Sequence, residues 1–111
     1  MMVAMDASPG ASVFKAIGDP TRRAILDLLA ESERSVGELT DAFPMSQPAM
    51  SQHLKVLRTA GLVTPRKDGR RRLYRVAPEP LREVYDWVQH YERFWDDKLD
   101  ALGRFLDAEV T

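Results

Sequence analysis

Two short amphipathic helix patterns separated by only three residues constrain this chain more than any other feature. The first, residues 36–43, opens at Ser35-Val36-Gly37-Glu38. That is the S-x-x-E spacing of a capping box, in which serine and glutamate satisfy free N–H groups at a helix start. Val36, Leu39 and Phe43 then share an inward face. Pro44, Met45 and Ser46 interrupt the pattern, and Ser46 is a good N-cap. Residues 47–60 resume it, with Met50, Leu54 and Leu57 at i, i+4 and i+7. Gly61 supplies the C-terminal stop. Two helices joined this tightly form a helix-turn-helix.

The flanking sequence completes the layout. Val13, Phe14 and Ile17 give residues 12–17 an apolar stripe, so a short helix is predicted there. Asp19 and Pro20 suit the N-cap and first position of a second helix over residues 20–31. Its Ile25, Leu28 and Leu29 face inward, with Arg22 and Arg23 on the other side. Beyond Gly61, extended runs at residues 62–67 and 70–76 flank Asp68-Gly69, a two-residue hairpin signal. Pro65 restricts the first strand to a sheet edge. Tyr74 and Val76 are expected to pack inward. Ala77-Pro78-Glu79-Pro80 breaks the chain, and one long helix of roughly 40 Å is expected over residues 81–108. The predicted fold is mainly α with a small β-hairpin wing, a winged helix-turn-helix of order α-α-α-α-β-β-α. Residues 12–108 form a single domain in this reading. Residues 1–11 form a flexible tail without a signal-peptide pattern, and Met1, Met2 and Met5 offer alternative starts.

Charge is distributed unevenly. The chain carries a net charge of −1, yet residues 58–75 hold seven basic side chains and one acid, Asp68. Residues 79–109 hold nine acids against four bases. A local basic element can bind phosphates while an acidic body stays clear of them. The chain has no cysteine, which excludes disulfides, thiolate metal sites and thiol catalysis, and fits a reducing cytoplasm. No apolar run approaches the roughly 18 residues of a membrane span. An enzyme is not expected: no nucleophile–base grouping or phosphate loop is present. Asp96 and Asp97 are adjacent on a helix and point apart.

The helix over residues 47–60 carries the chemistry. Opposite its apolar face lie Gln47, Pro48, Ser51, Gln52 and Lys55. The DNA major groove, about 12 Å wide, admits a helix whose outward side chains do not block entry. Glutamine can bond adenine through two atoms, serine a base or phosphate, and a helix N-terminus attracts phosphate. Arg70, Arg71 and Arg72 alternate across the hairpin, so cations appear on both faces.

These residues resemble a known family. Ser46-Gln47-Pro48-Ala49-Met50-Ser51-Gln52-His53-Leu54-Lys55-Val56-Leu57, followed by Ala60-Gly61-Leu62-Val63, is similar to the recognition helix of ArsR-type winged-helix repressors. Gly18-Asp19-Pro20-Thr21-Arg22-Arg23 resembles that family's second-helix start, and Gly69-Arg70-Arg71-Arg72-Leu73-Tyr74 its wing. The resemblance covers residues 12–76. It implies a homodimeric repressor that leaves its operator on a signal. It also implies DNA contact by Ser46, Gln47, Pro48, Ser51, Gln52, His53 and Lys55, supported by Arg70, Arg71 and Arg72.

The family's metal sensors are not matched. Members with Cys-x-Cys on the third helix would place thiolates at Ser35 and Gly37, which cannot ligate a soft metal. Members with ligands on the last helix leave Asp86 and His90 here, at i, i+4. A zinc-responsive repressor is therefore the alternative reading, and no cofactor is expected. The last helix is strongly aromatic, and Val84, Val88, Tyr91, Trp95, Leu99 and Leu102 lie on its apolar stripe. Apolar surface on more than one face asks for a partner. Dimerisation through these residues and Phe14 is expected, with room for a small apolar effector between the helices.

Overall fold

The structure, a computed structural model, describes the backbone of residues 9–110 and the side chains of residues 12–96, 98 and 101–106. Of the expected tail at residues 1–11, residues 1–8 lie outside that range, and residues 9–11 are not tail but the first turn of a helix. Helix α1 spans Pro9–Ile17 and starts earlier than the apolar stripe suggests, with Pro9 at a first-turn position that needs no N–H. Helix α2 spans Pro20–Glu31. Asp19 caps it by accepting the Arg22 N–H at 3.0 Å.

A two-residue strand, β1 (Arg34–Ser35), precedes α3 (Val36–Ala42). The capping box forms in full: Ser35 Oγ accepts the Glu38 N–H at 3.1 Å, and Glu38 Oε1 accepts the Ser35 N–H at 2.8 Å. Helix α4 spans Gln47–Thr59, capped by Ser46 Oγ accepting the Ala49 N–H at 3.3 Å. Gly61, at φ +77°, turns the chain out of it.

Strands β2 (Val63–Asp68) and β3 (Arg71–Val76) form the hairpin. The sheet order is β1-β3-β2, all antiparallel, so Pro65 does lie on an edge strand. The turn differs from expectation by one residue. Asp68 pairs with Arg71, leaving Gly69-Arg70 as the loop, and only Gly69 has positive φ, +65°. Glycine at the first central position is the requirement of a type II′ turn, so the aspartate remains in the strand.

The expected single C-terminal helix is divided. A 3₁₀ turn (Glu79–Leu81) leads into α5 (Arg82–Gln89), and α6 follows as Glu92–Val110. No proline or glycine stands at the break. The His90 and Tyr91 N–H groups bond three residues back, to Trp87 and Val88 oxygens at 3.1 and 2.9 Å. The His90 imidazole Nδ1 lies 3.1 Å from both the Asp86 and Trp87 carbonyl oxygens. A side chain thus takes up a carbonyl that a continuous helix would have bonded through backbone, and the tightened turn redirects the chain.

One core joins α1 to the sheet. Val13 and Ala16, Ile25, Leu26 and Leu29, Leu39, Met50, Leu54 and Leu57, Leu62, Val63 and Tyr74 are buried in it. Leu81 and Val84 pack at its edge, which attaches α5. Helix α5 packs on α1, and among the described residues α6 makes no comparable packing against any other element. The radius of gyration is 18.5 Å, against about 13 Å for a domain of near 100 residues closed on itself. No helix among the described residues is long and apolar enough to cross a membrane.

Candidate nucleic-acid interface

Burial of Met50, Leu54 and Leu57 fixes the roll of α4 and turns its other side to solvent. Gln47, Pro48, Ser51, Gln52 and Lys55 are all exposed there, as is the cap Ser46. No element among the described residues covers this surface. Arg58 continues the line: Ser51, Lys55 and Arg58 stand at i, i+4 and i+7, one row of neighbours along a helix.

His53 stands apart from this group. It is half-buried on the flank of α4 that faces α2. Its Nδ1 lies 3.3 Å from the Arg22 guanidinium. A guanidinium only donates, so Nδ1 accepts and the ring proton sits on Nε2. The same Arg22 donates to the carbonyl oxygens of Ala16 at 2.7 Å and Lys15 at 3.0 Å. Arg23 donates to the Ile17 oxygen at 2.7 Å. The two arginines thus close the C-terminal end of α1, whose last carbonyls have no helical partner. This holds α1 beside α4, where Ser12 and Lys15 form one wall of a groove shared with Gln52 and Lys55.

The hairpin lies at the far end of α4. Its register assigns the wing cations to two faces. Lys67 and Arg72 pair across the strands and share a face with Tyr74, whose ring lies under the Arg72 guanidinium at 5.8 Å. Arg66 and Arg71 fall on the opposite face and are held by acids from the α3 side. Arg66 makes a forked pair with Glu33 at 2.7 and 2.8 Å, and Arg71 meets Glu38 at 3.0 Å. The Arg66 hydrogen bonds lower the Glu33 pKa and raise that of Arg66. The Ser35 N–H and hydroxyl lower that of Glu38, with a smaller contribution from Arg71. Of the three wing arginines singled out from sequence, Arg70 and Arg72 have no acidic partner among the described residues, and Arg71 is tied to α3. Between the hairpin and the end of α4 lies an open hollow of about 640 Å³, lined by Arg58, Pro65, Arg66, Lys67 and the wing arginines. Arg58 and Lys67 belong to the basic run of residues 58–75 but are not among the DNA contacts expected from sequence, although the i, i+4, i+7 row points to Arg58.

The C-terminal helices leave an apolar surface open. Tyr85, Trp87, Val88, Tyr91, Phe94, Trp95, Leu102, Phe105 and Leu106 are exposed there, with Phe14 of α1. Phe14 meets Trp87 edge-on at 5.6 Å, and Trp87 meets Tyr91 at 5.5 Å. Val84 instead packs partly on the chain's own core. The Leu99 side chain lies outside the described residues. Asp86 and His90 are linked through the Asp86 carbonyl rather than as two ligand side chains. Among the described residues no group of three or more histidines and carboxylates is drawn together as a metal requires.

Comparison with known proteins places this geometry. Residues 19–64 match the model of the bacterial regulatory protein arsR family. The chain is 43% identical over 96 residues to the HTH-type transcriptional regulator Rv2034 of Mycobacterium tuberculosis, covering 86% of this chain and 87% of that one. It is 34% identical over 88 residues to the transcriptional repressor SdpR of Bacillus subtilis, covering 79% and 98%. Among solved structures, an ArsR-like transcriptional regulator from Rhodococcus sp. RHA1 superposes with a TM-score of 0.72 at 32% identity, covering 97% and 98%.

Proposed function

The chain belongs to the ArsR family of bacterial regulatory proteins, and from that premise we propose that it is a cytoplasmic, homodimeric repressor that binds an inverted-repeat DNA operator. The observation that carries this reading is the bare outward side of α4. A helix held by three buried anchors and offering glutamine, serine and lysine outward meets the demand of major-groove recognition. Ser51 and Gln52 would read bases. Ser46, Gln47, Pro48 and Lys55 would approach the backbone at the groove edge, and Arg70 and Arg72 would extend contact from the wing. His53 is engaged by Arg22 and acts as a brace for α4 in this reading.

The dimer part of the proposal rests on α6. A helix with exposed Phe94, Trp95, Leu102, Phe105 and Leu106, and no extensive packing against another element among the described residues, asks for a second copy. Two-fold pairing through α1, α5 and α6 would set two α4 helices about one DNA turn apart, roughly 34 Å.

A mobility shift with the purified chain and short duplexes tests the proposal. Binding should weaken steeply with salt, because each neutralised phosphate releases counterion. Binding that does not change with salt would contradict it.

A further inference from the structure

The wing cations differ in what holds them. Arg66 and Arg71 are each engaged by a glutamate across the chain. Arg58, Lys67, Arg70 and Arg72 have no acidic partner among the described residues, and all four line the hollow between the end of α4 and the hairpin, as do the paired Arg66 and Arg71. Like charges gathered without counter-charge repel one another, and an anion between them relieves that repulsion. Asp68, the one acid in the hairpin, pairs in register with Arg71 on the other face. The row Ser51, Lys55, Arg58 leads from the outward side of α4 straight to the hollow. From Ser51 to Arg58 it covers about 10 Å at 1.5 Å per residue.

We infer that this hollow is a seat for one DNA backbone phosphate, with Arg58 and Lys67 as its contact residues. Arg72, stacked on Tyr74, supplies a third cation. Arg66 and Arg71 serve as braces: through Glu33 and Glu38 they hold the hairpin at a fixed height above the end of α4, and so set the width of the seat. The inference rests on the DNA-binding reading above and adds residues to it. A phosphate bound here fixes the angle between wing and reading helix on the duplex. It carries no base preference of its own, since phosphate contacts position rather than specify.

The test uses the full chain and a duplex recovered by repeated selection from a random-sequence pool. Affinity is measured by fluorescence anisotropy across a salt series for wild type, Arg58→Gln/Lys67→Gln and Gln52→Ala. The double variant should reduce the magnitude of the log K against log salt slope by about two for the dimer, one per protomer, with equal loss on every sequence. Both side chains are exposed and have no acidic partner among the described residues, so its thermal melt should match wild type. A scan with single neutral methylphosphonate linkages should find one position per half-site that weakens wild type and has little further effect on the double variant. An unchanged slope with no such position, while Gln52→Ala still loses sequence preference, overturns the seat and leaves the DNA reading intact. Saturable binding of inorganic phosphate that is lost in the double variant yet does not compete with duplex also overturns it, by making the hollow a small-anion site. Recovery of no duplex at all defeats the DNA reading, and the seat with it.

Discussion

Arg22 holds His53 at 3.3 Å while its other nitrogens grip the last carbonyls of α1. One side chain thereby joins the helix proposed to read DNA to a helix of the proposed dimer surface. The two residues lie 31 positions apart, and neither projects from the outward side of α4.

This bracket predicts a separation of affinity from specificity. Arg22→Ala should lower stability by about 1–3 kcal/mol, because it leaves partly buried acceptors unmet. His53→Ala should cost less, since α1 keeps its cap. Both should weaken duplex binding while the selected base sequence stays the same. Denaturant melts together with selection on each variant measure this. A changed base preference for His53→Ala would make His53 a reader rather than a brace.

Acid should loosen specific joints. Asp19, Glu33 and Glu38 all titrate below their ordinary values, because a backbone N–H, an arginine and the Ser35 donors respectively favour the ionised forms. A lowered folded pKa means the unfolded chain takes up the proton first as pH falls. The stabilisation is therefore complete above the ordinary values of 3.8 and 4.5, and is lost as pH drops through the lowered folded ones. All three groups face solvent, so the effect should be modest. Urea midpoints should be level near neutrality and fall below about pH 4.5, with Glu33→Gln and Glu38→Gln showing shallower acid limbs.

The aromatic surface predicts association. Trp95→Glu, at an exposed position on α6, should shift the chain toward monomer in sedimentation and leave the winged-helix core folded. Wild type should melt at a temperature that rises with concentration, as expected where assembly contributes to stability. A concentration-independent melt with monomeric sedimentation would remove the dimer from the account.

Much of this fold could be read from local chemistry. Asp19-Pro20, Ser35 with Glu38, and Ser46 before Gln47 each announced a helix start, and the structure uses all three as caps. The outward set on α4 followed from the spacing of Met50, Leu54 and Leu57. What sequence did not reveal depends on partners far along the chain. Strand β1 is two residues long, has no periodicity of its own, and exists because β3 offers bonds to it. The Arg66–Glu33 and Arg71–Glu38 pairs each span 33 positions. Without them the wing arginines look equivalent. The break at His90 carries no proline or glycine and depends on an imidazole reaching back to the Asp86 carbonyl.

The central claim is that α4 reads base sequence, one copy per half-site. Selection of duplexes from a random pool by wild type and by Gln52→Ala tests it most directly. The account predicts that wild type enriches an inverted repeat with half-site centres about 10 base pairs apart, and that Gln52→Ala binds it about 1–3 kcal/mol more weakly with relaxed preference at one position per half-site. Enrichment of no sequence, or an unchanged motif and affinity for Gln52→Ala, would contradict it.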